Sequence, residues 1–371
     1  MRILTASDKF KGSLTALEAN QAIASGLKDG AGIPIEIDSI PIADGGDGLV
    51  ATLIAATGGS TETVEVSGPL GAPTKAVVGY FPGGETAVIE MAEASGITLL
   101  PEGQLNPEIA STFGTGEMIQ EVCDKGVSKI IMGIGGSATN DGGIGMAQAL
   151  GFQFLDRKAT PVENLPRDLL QVRSIKPPKD LPLPEILIAC DVTNPLLGPN
   201  GCTRIYGPQK GVTPANLDLH EARLSHLASL FGDTGQTAAN TPGAGAAGGL
   251  GFGSLIFLRA KLTPGFDLVA EILDLENAVK KADLVITGEG KLDEQSLHGK
   301  GPGGVAHLAK RFGKPVIAFC GITDLPDQGE LFDEIIEIGD PSLTLEENMR
   351  EAPQHLSLRA KEFALKALLK H

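Results

Sequence analysis

The chain has 371 residues, 42% hydrophobic and 20% charged, so it can bury a sizeable core and an intrinsically disordered chain is excluded. Its net charge of −16 argues against nucleic acid or an anionic membrane as a partner, because both would repel it. No apolar run approaches the roughly 18–20 residues that a membrane span requires.

Both ends of the chain are predicted to alternate strands with helices. The amino-terminal part predicts strands at Ile3–Ala6 and Ile33–Ile40, and helices at Thr15–Lys28, with a Thr15/Glu18 capping box, and at Leu49–Ala56. The carboxyl-terminal part predicts strands at Ala282–Thr287 and Lys314–Cys320, and helices at Gly301–Phe312 and Pro353–Leu369. Since helices between strands imply parallel crossovers, we expect a three-layer α/β sandwich.

The middle of the chain has a different pattern. Two β-rich segments, Lys75–Phe81 and Thr86–Met91, predict a hairpin, and further buried strands are expected at Lys129–Ile134 and Glu185–Ala189. Residues 155–184 are expected to form a surface excursion, and the Gly/Ala-rich residues 241–253 a flexible bridge. We therefore expect two α/β domains. The first is a parallel sandwich built from residues 1–65 and 275–371, and the second is an inserted mixed domain at 66–274.

Two polar loops near the amino terminus carry charged side chains. The first, Ser7–Ser13, places Lys9 and Lys11 before a predicted helix, which suits a phosphate or a carboxylate. The alternative is a solvated loop in which a serine caps the helix. The second carries Asp44 and Asp47 among three glycines. Two such carboxylates can hold Mg²⁺ or accept a hydroxyl proton, although Asp-Gly pairs are also ordinary turn formers.

Three further polar loops follow predicted strands, where ligands bind in parallel sheets. The third loop, Gly133–Gly143, is dense in glycine and small polar residues and exposes many N–H donors. Asp191, directly after a buried strand, is a candidate base or an ordinary turn acid. The fourth loop runs from Thr287 to Ser296 and on to Gly304. It is not a Walker A motif, because Gly301 follows Lys300 where Ser or Thr is required.

Two glycine patterns match dinucleotide fingerprints. Gly243–Gly248 fits G-x-G-x-x-G but follows Thr241-Pro242 rather than a strand. Gly133–Ala138 fits the G-x-G-x-x-A variant after a strand, and Asp156 lies near the expected acidic position. An NAD-dependent oxidoreductase therefore stays open as an alternative.

Five long motifs occur in a fixed order along the chain, and together they resemble the type 1 glycerate kinase family, the bacterial glycerate 2-kinase group. They are ASDKFKGSL at 6–14, ADGGDG at 43–48, GIGGSATNDGG at 133–143, CDVTNPLLGPNG at 190–201 and TGEGKLDEQSLHGKGPGGVA at 287–306. The resemblance covers essentially the whole chain. It implies ATP-dependent phosphorylation of D-glycerate, a flavodoxin-like domain made from both termini and an inserted second domain.

The residues suit this chemistry, because phosphoryl transfer requires charge neutralisation and positioning. On this interpretation Asp44 and Asp47 hold Mg²⁺ or receive the hydroxyl proton, Asp191 is the rival base, and Lys9 or Lys11 binds the carboxylate of glycerate. The remaining candidates would bind substrate and nucleotide phosphates. They are Ser13, Gly135, Gly136, Ser137, Thr139, Asn140, Asp141, Asn194, Gly288, Glu289, Lys291, Asp293, Ser296 and Lys300.

Several points stay open in the sequence. The family group favours 2-phosphoglycerate as product, with 3-phosphoglycerate as the alternative, and a non-catalytic two-lobed binding protein is a further alternative. We expect a monomer or a homodimer. The first residues lack the apolar segment of a signal peptide, and the four cysteines form neither a C-x-x-C pair nor a zinc spacing. These features favour a cytoplasmic location.

Overall fold

The computed structural model describes residues 1–43, 45–46, 48–101, 103–297, 301–325 and 331–368. The chain divides into two compact units. The terminal unit comprises Met1–Asp44 and Phe266–His371, and the central unit comprises Gly45–Gly265. The boundaries expected from the sequence lie further along the chain, at 65/66 and 274/275, so residues 45–65 belong to the central unit and residues 266–274 to the terminal unit.

Both units contain strands and helices. The strands are β1 Arg2–Thr5, β2 Glu36–Ser39, β3 Ser60–Ser67, β4 Pro73–Tyr80, β5 Thr86–Glu90, β6 Lys129–Gly133, β7 Gln153–Leu155, β8 Ser174–Lys176, β9 Glu185–Ala189, β10 Lys261–Thr263, β11 Leu284–Leu292, β12 Val316–Thr323 and β13 Glu334–Glu337. The helices of the first half are α1 Ala16–Gly30, α2 Leu49–Thr57, α3 Ala92–Ser95, α4 Phe113–Asp124, α5 Ile144–Ala149, α6 Cys202–Tyr206 and α7 Leu217–Ser229. Those of the second half are α8 Gly232–Asn240, α9 Ala246–Phe257, α10 Gly265–Ile272, α11 Leu275–Lys281, α12 Glu294–Leu297, α13 Gly301–Arg311 and α14 Leu345–Ala367.

The terminal unit contains a five-stranded parallel sheet in the order β13-β12-β11-β1-β2. Successive side chains of a strand point to opposite faces, and the sheet is apolar on both. Ile3 packs in one core with Leu27 of α1 and Leu356 of α14. Leu4 packs in a second core with residues such as Val305 of α13. This unit is therefore the three-layer parallel sandwich that the sequence predicts.

Two helices of this unit begin at capping boxes. Thr15 and Glu18 cap α1 reciprocally, as predicted. The closing helix differs from the prediction, because it begins at Leu345 rather than at Pro353. Thr344 and Glu347 form a second capping box there, and Pro353 lies inside α14.

The central unit contains a six-stranded mixed sheet in the order β10-β9-β6-β5-β4-β3. The predicted hairpin is present, because β4 and β5 are antiparallel, while β5, β6, β9 and β10 run parallel. A separate ribbon pairs β7 with β8. Val162 and Leu169 between these two strands are buried, so residues 155–184 contribute to the core and are more than a surface excursion. Among the described residues, no helix is long and apolar enough to cross a membrane.

The Gly/Ala-rich residues 241–253 are a buried part of the central unit, so the predicted flexible bridge is wrong. They contain the start of α9, which is kinked at Ala247–Gly249 by three residues with positive φ. A β-carbon at Gly248 would lie 1.9 Å from the Thr139 carbonyl oxygen. The glycines therefore allow the backbone to pack directly against the third loop.

This contact predicts a large effect of Gly248→Ala. The φ of +66° adds about 1–2 kcal/mol for alanine, and the overlap with Thr139 forces a backbone shift of about 1–3 kcal/mol. We expect a lower urea midpoint for the intact chain. Gly83→Ala is the matched control, because Gly83 has φ +91° with no atom within 4 Å of its β-carbon position. Equal midpoints for the two variants would show that the contact with Thr139 is unimportant.

Candidate functional site

The carboxyl ends of β1 and β11 meet at one edge of the terminal sheet, which we call the terminal edge. The strand order reverses between these two strands, and open α/β sheets bind ligands beyond their carboxyl ends at such a point. The first loop leaves β1 here, and the Asp8 N–H donates to the Gly288 carbonyl at 2.9 Å. The first and fourth loops of the sequence analysis are therefore neighbours.

Charged groups of the first loop lie at this edge. Lys9 Nζ is 3.9 Å from Asp8 Oδ1, and the Lys9 N–H donates to the same oxygen at 2.6 Å. A β-carbon at Gly301, the first residue of α13, would lie 3.1 Å from Asp8 Oδ2, so this carboxylate lies at the positive end of the helix. Lys11 is exposed. The two lysines thus give the terminal edge cationic groups that suit an anionic ligand.

Several candidates in this unit have structural partners. Strand β11 continues through Leu292, so Gly288–Lys291 belong to a strand and not to a loop. Lys291 Nζ pairs with Asp324 Oδ2 at 2.5 Å, which raises the pKa of the lysine. The Asp293 N–H donates to Ser296 Oγ at 3.1 Å. Ser13 donates its hydroxyl to the Met349 carbonyl. Glu289 is half-buried on β11, and Lys300 lies outside the described residues.

The carboxyl ends of β5, β6, β9 and β10 form a second edge, which we call the central edge. Glu90 ends β5, is 8% exposed, and accepts the N–H groups of Gly48 at 2.7 Å and Val50 at 3.0 Å. These bonds satisfy free donors at the start of α2 and fix the loop before it. The sequence analysis missed Glu90. The available signal was a single carboxylate that ends an otherwise apolar strand.

Asp191 lies at the central edge against the same loop. Its Oδ1 accepts the Gly265 N–H at 2.8 Å. A β-carbon at Gly45 would lie 3.3 Å from Asp191 Oδ2, so only a glycine lets the loop approach this carboxylate so closely. Asp44 and Asp47 of this loop lie outside the described residues. The structure therefore brings Asp191 to the loop that carries both other candidate carboxylates.

The donor chemistry at this position fits Mg²⁺, which prefers carboxylate oxygens and retains several waters. Within the described ranges, no group of three or more His, Cys, Asp or Glu residues could hold a metal ion. A magnesium site at the central edge with three or more such ligands would therefore include residues outside the described ranges, for which Asp44 and Asp47 are the candidates.

The third loop presents backbone donors at the central edge. Gly136 is exposed with φ +71°, and its carbonyl accepts the Ile97 N–H at 2.8 Å. The Ala138 N–H donates to Ser95 O at 2.9 Å. In the part of the chain that the structure describes, the N–H groups of Gly136 and Ser137 form no hydrogen bond. Together with half-buried Gly135, this segment can bind an anion through its backbone.

The later residues of this loop point into the protein. Thr139 and Asp141 are 0% exposed and Asn140 is 3% exposed. Asp141 accepts the backbone N–H and hydroxyl of Thr112 at 2.9 and 2.8 Å, and the N–H groups of Gly143 and Gly145 at 3.0 and 3.2 Å. Asn140 Nδ2 donates to Thr203 Oγ1 at 3.1 Å. The structure thus places these candidates in the support of the loop and away from its exposed part.

Asn194, in the loop after β9, is also engaged within the protein. Its Nδ2 donates to the Asn200 carbonyl at 2.8 Å, and its Oδ1 accepts the Tyr206 hydroxyl at 2.7 Å. The side chain therefore closes its own loop.

Lys210 is a buried cation that the sequence analysis missed. Its Nζ donates to Ser137 Oγ at 2.6 Å and to the Thr139 carbonyl at 2.8 Å. Burial lowers its pKa to about 8, against the raising effect of Cys202 and Asp141. A lysine within Pro208-Gln209-Lys210-Gly211 is typical of an exposed turn, so the sequence carried no signal of burial.

Neither dinucleotide fingerprint has the layout that its chemistry requires. After β6 the next helix begins only at Ile144, so the helix that follows this strand does not start within the glycine pattern, as the fingerprint requires. Asp156 is half-buried, and its Oδ1 accepts the N–H groups of Lys158 and Thr160 in a local turn. The second pattern, residues 243–248, is largely buried and follows α8 rather than a strand.

Comparisons with known proteins agree over nearly the whole chain. The sequence model of the glycerate kinase family matches residues 3–367. A Bacillus subtilis (strain 168) protein named glycerate kinase is 44% identical, with 98% of this chain and 97% of its own length covered. An Escherichia coli (strain K12) protein named glycerate 2-kinase is also 44% identical, over 87% of this chain and 86% of its own. A crystal structure of a putative glycerate kinase 2 from Salmonella typhimurium LT2 superposes with a TM-score of 0.88 at 39% identity, with both chains fully covered.

Proposed function

Because the chain belongs to the glycerate kinase family and is therefore a phosphotransferase that acts on glycerate, we propose that it converts ATP and D-glycerate to ADP and 2-phospho-D-glycerate with Mg²⁺. The family implies ATP as the phosphoryl donor. The Escherichia coli relative, named glycerate 2-kinase, supports the 2-hydroxyl as acceptor. The observation that carries the chemistry is Asp191 against Gly45 at the central edge.

In the proposed reaction the 2-hydroxyl oxygen of glycerate bonds to the γ-phosphorus of ATP, and the bond from that phosphorus to the bridging oxygen breaks. The hydroxyl proton passes to a carboxylate, for which Asp191 at the central edge, Asp44 and Asp47 are the candidates. Positioning and charge stabilisation are the main contributions of the protein to such a transfer.

Anionic groups of the substrates require donors and cations. We assign Gly136 and Ser137 at the central edge, through their N–H groups, and Lys9 and Lys11 at the terminal edge. Two further lysines are proposed to bind the nucleotide. Lys291 belongs to β11, and Lys300 follows this strand in the sequence.

Asp44 and Asp47 are proposed as the Mg²⁺ ligands, with Asp191 as a third carboxylate beside their loop. When bound, the ion neutralises charge on the phosphate oxygens. Asp191 keeps its Oδ2 toward Gly45 while its Oδ1 is held by the Gly265 N–H. The amide thus orients the carboxylate, with its second oxygen directed toward the loop.

Three further assignments are proposed with this function. The terminal sheet, numbered within its unit, has the order 2-1-3-4-5, so we class this unit as flavodoxin-like. All four cysteines are free thiols, which fits a reducing cytoplasm. We propose that the protein is a monomer or a homodimer.

A coupled assay tests the function. Purified protein is mixed with ATP, Mg²⁺ and D-glycerate, and enolase reports the product because it consumes 2-phosphoglycerate directly. We expect a signal without added mutase. A signal only with mutase would mean that 3-phosphoglycerate is made, and the acceptor hydroxyl would be corrected. If neither assay responds and no ADP forms, the kinase proposal is wrong. Titration with NADH would then test the oxidoreductase alternative, and titration with candidate ligands would test the alternative of a non-catalytic binding protein.

A further inference from the structure

Lys210 is a charged side chain in the interior of the central unit that has no part in the steps above. It is 2% exposed, and it belongs to the one-turn 3-10 helix Pro208–Lys210. An ammonium group has three donors and no acceptor, and removing it from water is costly unless it is hydrogen-bonded. Packing alone would favour an apolar side chain at this position, so the charge suggests a role in the site.

Both hydrogen-bond partners of Lys210 lie in the third loop, directly after its exposed segment. The ammonium contacts Ser137 Oγ at 2.6 Å and Thr139 O at 2.8 Å. The other side of the loop is fixed by backbone bonds to Ser95 and Ile97. The loop is therefore held from two sides, and the backbone N–H groups of Gly136 and Ser137 lie between these attachments.

Two ionisable groups, Cys202 of α6 and Asp141 of the third loop, act directly on the ammonium. Glu221 of α7 acts on Cys202. Burial raises the pKa of the Cys202 thiol to about 12, so this thiol is neutral near pH 8. Burial also raises the pKa of Asp141. Burial lowers the pKa of Lys210 to about 8, so its ammonium loses its proton as the pH rises through that value.

We propose that Lys210 is a positioning residue for phosphoryl transfer, whose ammonium holds Ser137 and Thr139 so that the Gly136 and Ser137 N–H groups bind an anionic oxygen of a substrate. The inference rests on the proposed function. The oxygen belongs either to a phosphate of ATP or to the carboxylate of glycerate, and both present the same chemistry to backbone donors.

The kinetics of three variants show whether the bound oxygen belongs to a phosphate of ATP or to the carboxylate of glycerate. Lys210→Met keeps the length of the side chain without charge or donors, Lys210→Arg keeps the charge, and Lys176→Met changes an exposed lysine of the same unit. We expect Lys210→Met to lower kcat/KM about 100-fold, as loss of positioning does, with Lys210→Arg intermediate and Lys176→Met unchanged. A raised KM for ATP alone identifies a phosphate, and one for glycerate alone identifies the carboxylate.

The pH profile separates positioning from simple structural support. Since the pKa of Lys210 is lowered to about 8, its charge is lost as the pH rises through that value. We expect kcat/KM of the natural enzyme to fall above about pH 8, and this fall to move to higher pH in Lys210→Arg, whose guanidinium stays protonated. An unchanged profile in Lys210→Arg, or near-natural kinetics in Lys210→Met, would overturn the proposal.

Two additional measurements keep the test decisive. If Lys210→Met does not fold, Lys210→Arg and Ser137→Ala are compared, because Ser137→Ala removes one acceptor of the ammonium without changing the charge. If the natural chain shows no turnover, the proposed function fails separately. Calorimetric titration with ATP and with D-glycerate then decides: weaker binding of one of them by Lys210→Met supports the positioning role, and equal binding contradicts it.

Discussion

Asp191→Asn is expected to lower kcat about 10²- to 10⁴-fold, the usual contribution of a positioned acid or base. In the natural chain the Gly265 N–H donates to Asp191 Oδ1 at 2.8 Å. Asparagine keeps an oxygen that can accept this hydrogen bond, so the loop after β9 should retain its conformation. The change removes the negative charge beside Gly45. The loss should therefore appear in the initial rate of ADP formation at saturating ATP and glycerate, with little change in the urea midpoint.

The matched control is Asp180→Asn, an exposed aspartate of the same unit, for which we expect natural rates. The dependence on Mg²⁺ identifies the role of Asp191. A metal ligand raises the Mg²⁺ concentration required for half-maximal rate, whereas a base leaves it unchanged and alters the acidic limb of the pH profile. Asp44→Asn and Asp47→Asn are measured beside it. If all three variants keep near-natural kcat, the proposed carboxylate chemistry is wrong.

Asp141→Ala is expected to destabilise the chain by about 4 kcal/mol or more, because four buried donors lose their acceptor. Asp141 is 0% exposed and joins Thr112, at the start of α4, to Gly143 and Gly145, at the start of α5. Alanine leaves these donors buried without an acceptor, which costs about 1–3 kcal/mol for each group. Urea unfolding followed by circular dichroism measures the loss.

Two comparisons show whether the cause is the lost acceptor. Asp141→Asn keeps one oxygen and should lose less stability than Asp141→Ala. Asp180→Ala, on the surface, should be near neutral. A loss below about 1 kcal/mol for Asp141→Ala would mean that the four hydrogen bonds contribute little beyond what water offers the unfolded chain.

Much of the fold could be predicted because its signals are local. The Thr15/Glu18 capping box marks the start of α1, and two β-rich segments separated by the short turn at residues 82–85 mark the β4–β5 hairpin. The start of α14 carries the same local signal in Thr344 and Glu347, whereas the sequence prediction begins this helix at Pro353. A proline is an uncertain marker of this kind, because a long helix can retain one inside it when surrounding turns stay packed.

The candidate site could be predicted only in part. Glycine-rich loops after strands indicated both edges, because parallel sheets bind ligands there. Glu90 and Lys210 were missed since their partners are remote in the sequence, 42 residues from Gly48 and 73 from Ser137. The sequence also could not predict which residues of the third loop face inward. A loop has no periodicity, so Asp141 and exposed Gly136 have no sequence feature that separates them.

The terminal sheet has a consequence for the order in which the chain folds during synthesis. Strand β1 lies between β2 and β11, and the backbone N–H of Arg2 bonds to Asp283, 281 residues later. One edge of β1 therefore stays unpaired while the ribosome synthesises the central unit, because its partner strand β11 is made only afterwards. Early closure of that unit brings the two ends of the interrupted sheet near each other and shortens the effective loop that must be closed. Until then β1 is an open edge strand, the kind of surface that chaperones protect.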